Sequence, residues 1–183
     1  MAPVAEALAR GDRRAATAAL MRRFGPELLR FCVSMLGDRD LADDVHQAVF
    51  VAAFEDLGDL ADPGKARAWL YGIARHRCLD AAKKRRRFRF RFLLSADAGE
   101  AEVAPAEVHE MAESDGRITA LLDCVRRLPA HVRVAVLLRY QENLPYQEIA
   151  RMSRETPSAL QMRVARALET LRNCLGDRAE VAT

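Results

Sequence analysis

With 183 residues, half of them hydrophobic, and a formal net charge of +3, the chain is long enough for one ordinary domain or two small ones and apolar enough to fold. Ala, Leu, Arg and Glu dominate while Gly and Pro are sparse, a composition that favours helices and argues against an all-β fold. No apolar run approaches the ~20 residues that span a bilayer, and Met1 to Arg14 lacks the apolar core of a secretory signal, so no membrane insertion is expected and the cytoplasm is the default compartment.

Leu20, Phe24, Leu28, Phe31 and Met35 recur at helical spacing and predict an amphipathic helix that stops near Gly37. Asp40 can cap the next helix, with Asp43 and Asp44 in its first turn, where negative charge suits the dipole. Leu41, Val45, Val49, Ala52 and Ala53 form one apolar face of that helix. Phe50 and Phe54 point elsewhere, towards a second buried or partner-facing side. Residues 59–64, with Pro63-Gly64, read as a loop. A long helix follows over about residues 65–87, with Trp69, Leu70, Ile73, Ala74 and Leu79 available for packing.

This helix carries two nucleic-acid signals. Arg67, Trp69, Tyr71, Arg75, His76 and Arg77 interleave aromatics with cations, a pattern suited to stacking on unpaired bases, although Trp69 alone could equally be a core anchor. Its end, Lys83-Lys84-Arg85-Arg86-Arg87-Phe88-Arg89-Phe90-Arg91, holds seven cations in nine residues. That exceeds what neutralising a helix terminus requires and favours phosphate binding by counterion release.

Residues 95–116 are poor in hydrophobics and contain Pro105; they read as a linker in which 106–114 could form a helical turn. The charge changes sign here. Residues 1–94 carry 18 Lys/Arg against 12 Asp/Glu, residues 95–116 carry seven acids and no Lys or Arg, and residues 117–183 carry 11 cations against seven acids. Two basic blocks separated by an acidic strip imply two nucleic-acid-facing modules and a tether.

Beyond the linker, Ile118, Leu121, Leu122, Val125 and Leu128 resume helical spacing, and Pro129 separates them from a helix over 130–140. A short helix then covers about 145–152. Thr156 as cap and Pro157 in the first turn start a last helix that buries Leu160, Val164, Leu168 and Leu171. The last two helices have the spacing of a helix-turn-helix, with Ser158, Gln161, Met162, Arg163 and Arg166 outward on the second; a plain helical hairpin with solvated arginines fits the spacing as well. The expected fold is all-α, in two small helical domains.

The four cysteines, Cys32, Cys78, Cys124 and Cys174, and the four histidines are scattered without metal-ligand or Cys-x-x-Cys spacing, so neither a disulfide nor a metal is expected. With no Gly-rich phosphate loop and no nucleophile beside a base, neither enzymatic chemistry nor a cofactor is expected.

Taken together, the segments resemble the extracytoplasmic-function (group 4) sigma factors of the sigma-70 family. Phe24-Gly25-Pro26-Glu27-Leu28-Leu29-Arg30-Phe31 resembles the family's first helix. Asp43-Asp44-Val45-His46-Gln47-Ala48-Val49-Phe50 resembles the region that docks on the clamp coiled coil of the polymerase β′ subunit. The Trp69 helix and its basic end resemble the regions that melt and read the minus-10 element. Leu128-Pro129 through Leu171 resembles region 4, which reads the minus-35 element and contacts the β flap.

The resemblance implies a promoter-recognition subunit of RNA polymerase with residues 1–94 as region 2, an acidic linker, and residues 117–183 as region 4. Core polymerase would be met by Asp43, Asp44, Gln47 and Phe50. Minus-10 DNA would be met by Lys65, Arg67, Trp69, Tyr71, Arg75, His76, Lys83, Lys84, Arg85, Arg86 and Arg87, and the minus-35 duplex by Arg139, Arg151, Arg154, Ser158, Gln161, Met162, Arg163 and Arg166. It also implies control by an anti-sigma factor. The sequence departs from the family pattern at Ala48, His76, Pro145, Arg154, Glu155, Gln161 and Met162. A stand-alone helix-turn-helix regulator is the alternative; it leaves residues 24–91 without a task.

Overall fold

The computed structural model describes residues 2–95 and 116–181, and each of these stretches forms a compact unit. Most of the expected acidic linker, residues 96–115, lies outside the described residues; Ser95 closes one helix and Gly116 opens the next. All the described elements are helices or tight turns.

In the first unit, α1 (Ala2–Ala9) packs on α2 (Arg13–Leu36) through Val4 and Ala7. The Asp12 carboxylate caps α2 by accepting from the Ala15 amide at 2.9 Å. Gly37 ends the helix in the left-handed conformation at φ 67°, where a Cβ would be strained. The cap of α3 (Arg39–Glu55) is Asp38, not Asp40: its side chain accepts from the Leu41 amide at 3.0 Å, and Asp40 falls in the first turn. Val45, Val49, Ala52 and Ala53 of α3 are buried against α2 and α4. His46 Nε2 donates to the Gly25 carbonyl at 3.1 Å and pins α3 to α2 beside Pro26.

Residues 57–65 are wound into two short 3-10 turns, Leu57–Asp59 and Pro63–Lys65, with Leu57 and Leu60 buried beneath them. The Asp62 carboxylate accepts from the Gly64 amide at 2.8 Å. The long helix α4 (Ala66–Ser95) extends past the expected end near Arg87. Its core stripe is Ala66, Leu70, Tyr71, Ala74 and Cys78, and the Tyr71 ring meets Phe31 edge-on at 5.4 Å.

In the second unit, α5 (Gly116–Arg127) and α6 (Ala130–Val136) pack on α8 (Pro157–Val181). The Arg133 guanidinium donates to the Arg126 and Leu128 carbonyls at 2.5 and 3.0 Å, which satisfies the end of α5 and sets the turn into α6. A five-residue π-turn, Leu137–Gln141, continues α6 and leads to α7 (Tyr146–Ser153). Ile149, Ala150, Leu160, Val164, Ala167 and Leu171 form the α7–α8 core.

The expectation of no disulfide is overturned here. Cys124 of α5 and Cys174 of α8, 50 residues apart in sequence, are bonded with Cα atoms 6.0 Å apart. Packing of α5 on α8 closes the pair, a proximity that no local spacing encodes. Cys32 and Cys78 also meet, with Sγ atoms 3.8 Å apart in the first core, but as thiols.

Candidate nucleic-acid interface

Three exposed rows carry the chemistry. The first lies on α3. Asp40, Asp44, Gln47, Val51 and Phe54 follow one another at spacings of 4, 3, 4 and 3 residues and so share one face. Val51 is 58 % and Phe54 39 % exposed, so the row runs from anionic at the helix N-terminus to apolar at its C-terminus. Asp43 borders it, half-buried and paired with Arg39 at 3.2 Å.

Phe50 does not belong to this row. At 3 % exposure it is a core residue, its ring edge-on to His46 at 5.1 Å, so it shapes the face rather than presenting itself on it. Phe50, expected to face the polymerase, is therefore buried. The outward phenylalanine is Phe54, whose ring lies 5.3 Å from the Arg13 guanidinium carbon, while the same guanidinium donates to the Phe54 and Glu55 carbonyls.

The second row lies on α4. Trp69, His76, Lys83 and Arg87, spaced 7, 7 and 4, point away from the core stripe, and all but the half-buried Trp69 are exposed. Lys84, Arg86 and Arg91 flank them, and the exposed rings of Phe88 and Phe90 stand among the cations. Lys65 is exposed at the foot of the helix, 3.9 Å from Asp62.

Not every predicted DNA contact is free to act as one. Tyr71 is fully buried. Arg67 is held against the Tyr71 ring at 5.1 Å and beside Glu27 at 3.9 Å, and Arg75 is half-buried. Arg85 donates to the Leu36 carbonyl at 2.9 Å and pairs with Asp38 at 3.9 Å, so it joins the end of α2 to the start of α3 and α4. These side chains shape the surface that the others present.

A groove between α3 and α4 adjoins the first two rows. Leu41, Val45, Ala48, Ala81 and Phe88 line it with apolar surface, and Asp44, Asp80, Arg77 and Lys84 give it charge of both signs.

The third row belongs to the helix-turn-helix. Thr156 Oγ1 accepts from the Ala159 amide at 3.2 Å and Pro157 opens α8, as its start signal predicts. The turn hinges on Arg154, in the left-handed conformation at φ 55° and ψ 42°. Opposite the buried Leu160, Val164 and Ala167 stand Ser158, Gln161, Met162 and Arg166, all exposed, with Met162 57 % accessible. Such side chains on the first turns of a recognition helix can reach base edges in a major groove.

Arg163 leaves this row. Its guanidinium forms a two-pronged pair with the Glu155 carboxylate, with one prong at 2.8 Å between Nη1 and Oε1, which braces the turn. Arg139 stacks on the Tyr146 ring at 5.1 Å, whereas Arg151 and Arg154 are exposed. Burial, then the neighbouring Tyr140, raises the Tyr146 phenol above its ordinary value against the opposing pull of Arg139, so it remains a neutral hydrogen-bonding group.

Among the described residues, no group of three or more His, Cys, Asp or Glu could hold a metal ion, and no helix is long and apolar enough to cross a membrane. The geometry offers flat, charged, helical faces for binding.

Two helical units, one with a basic aromatic-bearing helix and one with a helix-turn-helix, define a two-part helical class of protein with surfaces suited to nucleic acid. Residues 20–88 match the model of sigma-70 region 2, and residues 118–171 match that of sigma-70 region 4. The ECF RNA polymerase sigma factor SigD of Mycobacterium tuberculosis is 33 % identical over 178 residues, covering 94 % of this chain and 82 % of that protein. Two solved structures share the fold. CnrH, in complex with the cytosolic domain of CnrY, superposes with a TM-score of 0.67 at 24 % identity, covering 95 % of each chain. RpoE of Bartonella quintana, in complex with the anti-sigma factor NepR, has a TM-score of 0.65 at 21 % identity, covering 85 % of this chain and 94 % of that one.

The chain therefore belongs to the extracytoplasmic-function sigma factors of the sigma-70 family. It is an RNA polymerase sigma factor, which directs core polymerase to specific promoters for transcription initiation.

Proposed function

We propose that the three rows divide the work of promoter recognition. The outer face of α3 seats the chain on the clamp coiled coil of the β′ subunit through Asp40, Asp44, Gln47, Val51 and Phe54. This surface replaces Phe50 with Val51 and Phe54 and keeps Asp43 at its border. The observation that carries the reading is the unbroken exposure of that face in an otherwise well-packed helix. A row with acids at one end and an exposed aromatic at the other combines electrostatic orientation with an apolar anchor.

The α4 row then meets the minus-10 element. Lys83, Lys84, Arg86 and Arg87 neutralise phosphates, Trp69 supports the melted edge, and the turns over residues 57–65 receive an unstacked base, with Lys65 beside them. On α8, Ser158, Gln161, Met162 and Arg166 read the minus-35 duplex while Arg151 and Arg154 touch its backbone. Region 4 also meets the β flap. In the cell the chain works at the nucleoid when bound to polymerase, and an anti-sigma factor holds it back at other times. The NepR complex of a protein with the same fold supports that last reading.

Charge reversal of Asp44 together with Gln47→Ala tests the seat. In a pull-down with purified core polymerase, the variant is expected to lose at least ten-fold in retention while its circular dichroism melt matches wild type. Undiminished retention of the folded variant would overturn the assignment of this face.

A further inference from the structure

All four cysteines of the chain are paired in space, one pair in each unit, although none is near another in sequence. The two pairs differ in access. Cys32 and Cys78 are both fully buried, and a hydrogen bond between the two sulfurs, then burial, pushes the Cys78 thiol far above the ordinary thiol range. A thiol that forms no thiolate does not attack an oxidant. Cys124 is buried too, but Cys174 is half-exposed in the C-terminal half of α8, with the exposed Asn173 and Gly176 beside it.

We propose that Cys124 and Cys174 form a reversible thiol–disulfide site that adjusts the stability of the minus-35-reading unit to the oxidant level, while Cys32 and Cys78 stay reduced. A protein that works on DNA with polymerase in the reducing cytosol does not keep a disulfide as a permanent staple; such bonds there are transient or sensing. The bond joins α5 to α8 downstream of the reading face. Leu160, Val164 and Ala167 hold that face without it, so opening the bond leaves the helix-turn-helix assembled but less firmly closed.

In the closing reaction the Cys174 thiolate attacks one oxygen of hydrogen peroxide and becomes a sulfenic acid, releasing hydroxide that takes up a proton as water. The Cys124 sulfur then displaces the second oxygen, which also leaves as water: two thiols and one peroxide give one disulfide and two waters. In the opening reaction a low-molecular-weight dithiol such as dithiothreitol is oxidised to its own disulfide, and both protein thiols return.

The test uses the full chain, treated with hydrogen peroxide or with dithiothreitol. After peroxide, thiol titration in denaturant is expected to find two thiols instead of four, and peptide mapping to find residues 124 and 174 joined. The melting midpoint of the C-terminal unit should rise by about 10 °C or more over the reduced form, as expected for closing a loop of this length. Cys174→Ser should abolish that rise, and Cys32→Ala with Cys78→Ala should leave it. Four thiols after peroxide, a joined 32–78 peptide, or equal midpoints in the two forms would each overturn the proposal.

The link to promoter binding alone rests on the functional reading above. Between the two midpoints, run-off product from a minus-35-dependent promoter should fall at least five-fold on reduction and return on oxidation. Thiol counts and melting judge the switch even where that reading fails.

Discussion

Phe50 and Phe54 lie one turn apart on α3, and truncating each should produce opposite failures. Phe50 is 3 % exposed and packed on His46, so Phe50→Ala leaves a cavity and should cost the first unit ~3–5 kcal/mol. For a domain of this size that lowers its melting midpoint by more than about 12 °C. Phe54 is already 39 % exposed, and the two backbone carbonyl bonds from Arg13 survive removal of its ring. What Phe54→Ala loses internally is partial apolar burial and an exposed cation–π contact of ~0.5–1 kcal/mol, equivalent to a few degrees.

If the outer face of α3 seats the chain, Phe54→Ala also removes an aromatic anchor from the interface. Such a loss is worth about 2 kcal/mol or more, roughly 30-fold in affinity. Fluorescence anisotropy of the labelled chain titrated with core polymerase reads the affinity, and circular dichroism melting reads the fold. A folded Phe54→Ala variant that binds core polymerase within two-fold of wild type would refute the reasoning. So would a Phe50→Ala variant that melts where wild type does.

Arg154 stands in the left-handed region, which costs a non-glycine residue ~1–2 kcal/mol, so Arg154→Gly should raise the melting midpoint of the C-terminal unit by a few degrees. The same change should weaken minus-35 duplex binding and flatten its salt dependence by about 0.9 in slope, if Arg154 touches a phosphate. An unchanged melt with unchanged binding would argue against both roles. Lys83→Ala and Arg87→Ala should leave melting within ~0.5 kcal/mol and each reduce the slope by about 0.7–0.9 on a minus-10 fork probe. Arg85→Ala should do the reverse, costing ~1–2 kcal/mol through the lost Leu36 carbonyl bond and Asp38 pair, with little change in slope.

Much of the helical framework was legible from period and punctuation. Gly37 closes α2 and Thr156-Pro157 opens α8 because those residues have strong intrinsic reasons to be there. The short helix α1 gave no such signal: its eight residues, rich in Ala, hold to α2 by tertiary packing alone. Which face of α3 is outward was less legible, because Phe50 and Phe54 share a one-turn spacing and only the cover supplied by α2 and α4 tells them apart.

Arg85 and Arg163 read as DNA-facing cations in sequence, but one finds a carbonyl at a helix end and the other a carboxylate in a turn. Those acceptors exist only once the helices have stopped where they do. The Cys124–Cys174 bond was hidden in the same way, since its partners meet through the packing of α5 on α8.

As a sigma factor, this chain is expected to make core polymerase start at promoters through two separate DNA readers. Run-off transcription of fragmented genomic DNA by purified core polymerase, with and without the chain, tests it most directly by sequencing the transcript ends. Chain-dependent transcripts should begin downstream of two short sequence motifs at one fixed separation, and Gln161→Ala with Met162→Ala should relax the upstream motif alone. Chain-dependent starts with a single motif, or none above core polymerase alone, would contradict the account.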